Sequence, residues 1–360
     1  MTFGCLKTTP LNIGEEIQEI AAMRFLPQID EWVHREHINK FVSKDKKTVK
    51  LIMNAWWMWH PERFLPSSYI NPLLISMYFR KEIRNGKKNF LTPKAKRYLI
   101  EYGPIGCRDT DTASFFNSQN IPAYFSGCLT LTLQKNNMPK KDYILCVDMP
   151  DEVVEEIKKR TNREVYEIPV DLSEYYTFEQ RLEIAKLYLQ AYQNAHCVIS
   201  SRLHVLLPCL ALETPVLRII SGKYERNIEG RFSGYETFVH SAKIDDFLNN
   251  KEIYDFENPP SNPDKYLKLR NELIKRCSEF TGCDRQESLI PEEKYPELKM
   301  FSLSKSSSLQ LRRILMFVKP SRMLRMFFYK KIFKKDRHDL NDVIENIKQV
   351  LPPPEDNTLF

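Results

Sequence analysis

The 360-residue sequence lacks several features that would have settled its class at once. It has no run of about 18 apolar residues, so no membrane-spanning helix is expected. Its first residues, MTFGCLKTTPLNIGEE, have neither the basic start nor the long apolar core of a signal peptide. Eight cysteines contain no C-x-x-C pair, and no Cys/His spacing matches a zinc ligand set, so zinc is not expected and no metal-ligating residue is assigned. Only 10 glycines occur, and none forms a dinucleotide fingerprint or a phosphate-binding P-loop. There is no H-E-x-x-H, no nucleophile elbow and no kinase signature. Low-complexity and fibrous proteins are excluded by the same composition.

What is present divides in two. The net charge of +7 is concentrated between Phe301 and Arg337, which hold eleven Lys/Arg and one acidic residue. The rest of the chain therefore sums to about −3. The basic run interleaves its cations with Phe, Met, Leu and Ile, a composition that suits an anionic membrane face. A helical pair packed on the body is the plainer alternative. No nucleic-acid motif adjoins the run, so nucleic acid is not an expected partner. Cys146, Cys197 and Cys209 sit in apolar runs and read as reduced, buried thiols. The expected location is the cytoplasm, peripheral on the inner face of the membrane if the basic run docks there.

Along the chain, apolar β-branched runs alternate with helical periods. The first series has strands at Phe3–Leu6, Val49–Met53, Gly103–Arg108 and Ala123–Phe125, with helices at Glu15–Leu26, Lys94–Glu101 and Asp109–Gln119. The second has strands at Tyr143–Val147, Val165–Ile168, Cys197–Ile199 and Val216–Ile220, with helices at Glu152–Arg160, Phe178–Asn194 and Leu203–Leu212. A further helix covers Tyr266–Phe280. Trp56, Trp57 and Trp59 fit no amphipathic pattern and read as core or as a domain-face lining rather than as a sugar platform. The fold class is α/β, with two facing Rossmann-like doubly wound domains and parallel sheets. The expected divisions are 1–137, 138–285 and a basic, aromatic-rich extension at 286–360.

In open α/β sheets, ligands bind beyond the carboxyl ends of the strands. Three strand-to-helix junctions are therefore candidates: Asn12 to Glu15, Gly106 to Asp109, and Ser200 to His204. The third combines hydroxyls, an arginine fork and a histidine at a helix start, which suits an anion. An ordinary helix start capped by Ser200 or Ser201 is the plainer reading of that pentapeptide. Asp109 reads equally as an N-cap or an acid.

The segments LNIGEEIQ at 11–18, GPIGCRDTDT at 103–112, YFSGCLTLTL at 124–133 and SSRLHVLLPCLALETPV at 200–216 resemble the polysaccharide pyruvyl transferase family, with RFSG at 231–234 also similar. The resemblance covers about residues 1 to 285. It implies a GT-B-like fold and transfer of the enolpyruvyl unit of phosphoenolpyruvate onto a sugar, as a cyclic ketal. The acceptor it implies is a lipid-linked oligosaccharide in polysaccharide, capsule or exopolysaccharide synthesis. Phosphoenolpyruvate is then a donor substrate, and no cofactor is called for. By their match to the motifs, Arg202 and Arg108 are the expected cationic clamps and His204 the general acid–base. Ser126, Gly127, Ser201, Asn12 and Gly14 are the expected substrate contacts. Two departures stand out: Glu15 where relatives often have Asp, and Tyr78 in Ile75-Ser76-Met77-Tyr78 where a histidine is common. Tyr78 or His60 would have to substitute for that histidine. A nucleotide-sugar glycosyltransferase and a non-catalytic membrane-docking component remain the competing readings.

Overall fold

The computed structural model describes residues 1–8, 12–84, 86, 90–171, 176–221, 231–251 and 254–292. The chain divides into two compact units, 1–165 with 170–292 and 166–169 with 293–360. The basic run at 301–337, and nearly all of the expected extension, lies outside the described residues.

The first sheet begins with β1 (Thr2–Lys7), whose inner four residues are all buried. It is flanked on one side by β2 (Glu31–His34) and on the other by β3 (Val49–Ile52), and all pair in parallel. Beyond the two-residue strand β4 (Trp56–Trp57), β5 (Ile70–Leu73) pairs with β3, giving the order β2-β1-β3-β5. β4 pairs with β6 (Tyr78–Phe79). A short helix α2 (Lys81–Arg84) and helix α3 (Pro93–Glu101), capped by Thr92, lead to β7 (Ile105–Cys107). Helix α4 (Thr110–Ser118) follows, and β8 (Ala123–Phe125) pairs with β7. The apolar stretch Leu73–Phe79 divides between the end of β5 and β6. Ser76 takes a φ of 54°, which breaks it. The array nonetheless continues across the break: Gly106 N donates to Leu74 O, Met77 N to Gly106 O, and Arg108 N to Met77 O.

The second sheet has five strands: β9 (Tyr143–Val147), β10 (Glu164–Ile168), β11 (Cys197–Ser200), β12 (Val216–Ile220) and β13 (His240–Lys243), in the order β10-β9-β11-β12-β13. The pairs β9–β11, β11–β12 and β12–β13 are parallel. All five residues of β9 are buried, as expected of a strand covered on both faces. Helices α5 (Asp151–Lys159), α6 (Phe178–Asn194) and α7 (Leu203–Ala211) supply the crossovers. After β13 come α8 (Ile244–Leu248) and α9 (Leu267–Thr281), the latter closed by Gly282 in the left-handed region. The fold is therefore α/β with parallel sheets, as the alternation predicts. β2 and β13 went unread because both lie at sheet edges and carry polar residues, so they show no apolar run.

Helix α1 (Gly14–Met23) joins the first sheet to the second, packing against α6, α7 and the turn Leu129–Thr132. Its Glu16 is wholly buried and takes a two-bonded ion pair from Arg181 of α6, at 2.5 and 3.0 Å. Burial pushes the Glu16 carboxyl up and Arg181 draws it back down. All eight cysteines are free and seven are buried, with the Cys197 thiol pushed up to about 12 by burial. No helix among the described residues is long and apolar enough to cross a membrane.

Candidate active site

A cavity of about 260 Å³ opens where the carboxyl ends of β1, β4, β6, β7 and β11 converge. It brings together five of the predicted site residues, drawn from all three junctions: Asn12, Gly14, Arg108, Arg202 and His204. Ser126, Gly127 and Ser201 do not line it.

The first junction is shaped by a side chain. Asn12 Oδ1 accepts from Gly14 N at 2.9 Å, and Asn12 Nδ2 donates to Asp171 Oδ1 at 3.2 Å. Gly14 is required by space: a Cβ there would lie 2.6 Å from His204 Nδ1 and 2.9 Å from His204 Cβ. The turn therefore fits against the imidazole. Next to it, Glu15 forms an ion pair with Arg35 at 2.5 Å.

At the second junction, Asp109 caps α4, accepting from Thr112 N at 2.8 Å and from Thr112 Oγ1 at 2.9 Å. That settles Asp109 as an N-cap. Arg108 is only 2% exposed. Its Nη1 donates to Gln18 Oε1 at 3.1 Å and lies 3.4 Å from His204 Nε2. The guanidinium lies 4.4 Å from the Tyr78 ring centre, and its buried Nε has no hydrogen-bond partner. Such a donor calls for an acceptor from outside the protein.

The third junction differs from its reading. Ser200 caps nothing: its hydroxyl donates to Val147 O at 2.9 Å and accepts from Arg202 N at 3.0 Å. Arg202 stands at the N-cap position without a side-chain cap. Its guanidinium is held by Asp148, with Nε 2.6 Å from Oδ2. Asp148 follows β9 with a φ of 54°, an uncommon conformation for a residue with a side chain. His204 bends the first turn of α7, with φ −82° and ψ 17°. Its imidazole is held well below the usual histidine range, first by burial, then by the Arg108 and Arg231 charges. It is thus neutral near pH 7. With Arg108 donating toward Nε2, the proton of the neutral ring belongs on Nδ1.

Ser126 and Gly127 correct the expectation that they offer donors to an anion. The Ser126 hydroxyl shares its one proton between Cys107 O at 3.1 Å and Gly127 O at 3.0 Å, and accepts from Ser76 N at 3.1 Å. It locks the break at Ser76 to the end of β7. Gly127, at φ 76°, packs against Leu131 and Leu269. Tyr78 is buried beneath the guanidinium of Arg108, with that of Arg231 5.5 Å from its ring centre. His60 is exposed, pairs with Glu62 and does not line the cavity. Of the two, only Tyr78 adjoins the site.

Three lining arginines carried no assignment from sequence: Arg35, Arg80 and Arg231. Arg231 opens the RFSG run, the one sequence signal that pointed to it. Its neighbours fix it to the second junction, with Thr110 N donating to Ser233 O at 3.2 Å and the Tyr235 hydroxyl donating to Arg108 O. Arg231 Nε is also buried without a partner. Arg35 is neutralised by Glu15 and Glu36, and Arg202 by Asp148. The positive charge without a carboxylate partner therefore collects at Arg108 and Arg231, both of which act on His204. This pole suits a small, multiply charged anion. Among the described residues, no group of three or more His, Cys, Asp or Glu could hold a metal ion.

A family model for polysaccharide pyruvyl transferase matches residues 75–223, a span that holds Arg108, Arg202 and His204. No curated protein matches the chain. Among solved structures, a functionally uncharacterised protein from Klebsiella pneumoniae is 14% identical, over 67% of this chain and 92% of its own, with a TM-score of 0.41. The UDP-GlcNAc 2-epimerase of Methanocaldococcus jannaschii is 9% identical, over 88% of this chain and 100% of its own, with a TM-score of 0.31.

Proposed function

The chain belongs to the polysaccharide pyruvyl transferase family, and from that premise we propose that it moves the enolpyruvyl group of phosphoenolpyruvate onto a sugar of a lipid-linked polysaccharide precursor, forming a cyclic pyruvate ketal. The observation that carries the reading is the meeting of two distant junctions. Arg108 Nη1 and His204 Nε2 lie 3.4 Å apart at a pole where two guanidinium groups keep an unpartnered Nε. Phosphoenolpyruvate carries a phosphate and a carboxylate, and two such forks match two such anions. Arg108 and Arg231 are the donor clamps in this reading. Arg202, fixed by Asp148, flanks them and presents its remaining N–H edge.

The reaction needs a proton at C3 of the enol and the loss of protons from two sugar hydroxyls. Protonation at C3 makes C2 electrophilic. One hydroxyl attacks C2 and loses its proton, phosphate leaves from C2, and the second hydroxyl closes the ketal. Overall, one hydroxyl proton is matched by the proton gained at C3, and the other leaves with phosphate. His204 starts neutral, so its first act is to accept a proton. The bound donor's negative charge offsets Arg108 and Arg231, which makes the protonated ring easier to hold. The proton His204 accepts is that of the attacking hydroxyl, and the ring passes it to C3 of the donor as the C2–O bond forms.

We also propose that the two sheets are the cores of two facing GT-B-like domains, 1–137 and 138–285. The 286–360 extension, with its basic run at 301–337, would bring the enzyme to an anionic membrane surface carrying the acceptor. The alternation of elements and the charge distribution support these two points.

The test is incubation of the purified protein with isotopically labelled phosphoenolpyruvate and lipid-linked oligosaccharides. Acid-labile pyruvate on sugar, released together with stoichiometric phosphate, is the expected product. Transfer from a nucleotide sugar, with none from phosphoenolpyruvate, overturns the reading.

A further inference from the structure

One wall of the cavity is unlike the pole around His204. Trp56 and Trp59 meet edge to face, with ring centres 4.8 Å apart. Arg35 and Arg80 each lie 5.0 Å from the Trp56 ring, and Arg80 lies 5.1 Å from Trp59. Glu36 ties the wall from behind, accepting from Arg35 Nε at 3.2 Å and from Trp59 N at 3.1 Å. Arg35 carries the chain of contacts on to Glu15. Trp56 is 7% exposed, whereas Trp59 is 54% exposed. A large aromatic side chain is thus tied to Glu36 through its backbone, flanked by Trp56 and Arg80, and about half exposed at the cavity rim.

The polar groups beside it suit hydroxyls. Glu15 is the one carboxylate lining the cavity among the described residues. A carboxylate accepts several hydrogen bonds and donates none, so it selects O–H and N–H groups. Arg80 Nε is buried, makes no hydrogen bond and meets the Glu82 carboxylate only at 4.0 Å, so it can donate to a ligand oxygen. An open indole, a fixed carboxylate and a spare guanidinium donor match the two sides of a pyranose. Its C–H face is apolar and its edge is hydroxyls.

We infer that this wall is the acceptor subsite, where a pyranose ring lies on the open face of Trp59 and gives hydroxyl hydrogen bonds to Glu15, with Arg80 donating in return. The inference rests on the pyruvyltransferase reading for its choice of ligand. The turn Gly14-Glu15 links the two poles, since Gly14 abuts His204 while Glu15 faces Arg35. A ring held this way has its hydroxyl edge beside the donor pole.

The test uses p-nitrophenyl galactosides, mannosides and glucosides as probes, with the full chain and its Trp59→Ala and Trp59→Phe variants. In steady-state transfer, Trp59→Ala should raise the KM of the accepted glycoside about tenfold, the range of one lost aromatic contact. The KM for phosphoenolpyruvate should stay the same, and Trp59→Phe should restore most of the loss. Transfer with an unchanged glycoside KM in Trp59→Ala overturns the inference and leaves the proposed function standing. Calorimetry with phosphoenolpyruvate alone tests the donor pole separately. If the wild type neither binds it nor transfers it, the proposed function falls, and saturation-transfer NMR still decides the subsite. A glycoside signal present in the wild type and lost in Trp59→Ala sustains the inference; no signal with any glycoside overturns it.

Discussion

The junctions at β7–α4 and β11–α7 are the same device built two ways. Each is a buried strand that ends in an arginine just before a helix. At the first, Asp109 caps the helix, so Arg108 is released from the backbone's needs. Its side-chain partner is the neutral Gln18, and its Nε has none. At the second no side chain caps the helix, Arg202 is held by Asp148, and the first turn bends at His204. The same residue type therefore carries an open charge in one place and a met charge in the other. In the proposed reaction, the capped junction supplies the field and the uncapped one the proton acceptor.

That division ranks the expected losses. His204→Ala removes the proton acceptor and should lower kcat by roughly 10²–10⁴-fold, the range of a positioned acid–base group. Arg108→Ala removes the most open charge and should lower kcat/KM for phosphoenolpyruvate by roughly 10²–10³-fold, as expected for one lost donor to a developing anion. Circular dichroism and melting curves establish that each variant is folded. Near-normal rates in both variants would break the comparison outright.

Arg202→Ala should cost less, about tenfold in kcat/KM, because Asp148 already offsets its charge. Asp148→Ala leaves the fork unheld, and the double variant should lose little beyond the larger single loss, since the two act as one unit. Additive losses measured in the cycle would mean that Arg202 binds the donor independently of Asp148. Asp109→Ala tests the cap. It should lower stability by about 1 kcal/mol, read from denaturant unfolding, with activity per folded molecule retained. A large activity loss with stability intact would make Asp109 part of the chemistry.

The contrast between the junctions was only half legible in the sequence. Local rules reached far: α6 spans Phe178–Asn194, as its apolar period reads, and Asp109 was one of two open readings that the structure closed. Arg108 and His204, each singled out by its motif, meet although 96 positions separate them. The pairing that neutralises Arg202 was not legible, because Asp148 is 54 positions away and meets it only once β9 and β11 lie side by side. Arg231 was missed for a similar reason, since its segment reaches the site through Thr110 and Arg108. Ser126 misled because its match to the motif at 124–133 implied a donor to an anion. It is instead consumed by the backbone at Ser76, whose positive φ leaves an N–H that needs an acceptor.

The smallest effect is the most discriminating. His204 is held below the usual histidine range by burial, then by Arg108, then by Arg231. The profile of kcat/KM against pH reports the free enzyme, so its acid limb should lie below 6.5. Activity falls as pH drops through that depressed value, because the neutral ring is the form that accepts a proton. Removing a positive neighbour makes protonation easier. Arg231→Gln should therefore move the acid limb upward, toward 6.5. Arg202→Gln should leave it in place, since Arg202 is not among the charges that depress the ring. Phosphoenolpyruvate titrates identically in all three profiles, so differences between them belong to the protein. Equal displacement in both variants would mean that the two arginines are electrostatically alike at His204, and the asymmetry between the junctions would then not extend to the proton. No displacement in either would assign the acid limb to a group other than His204.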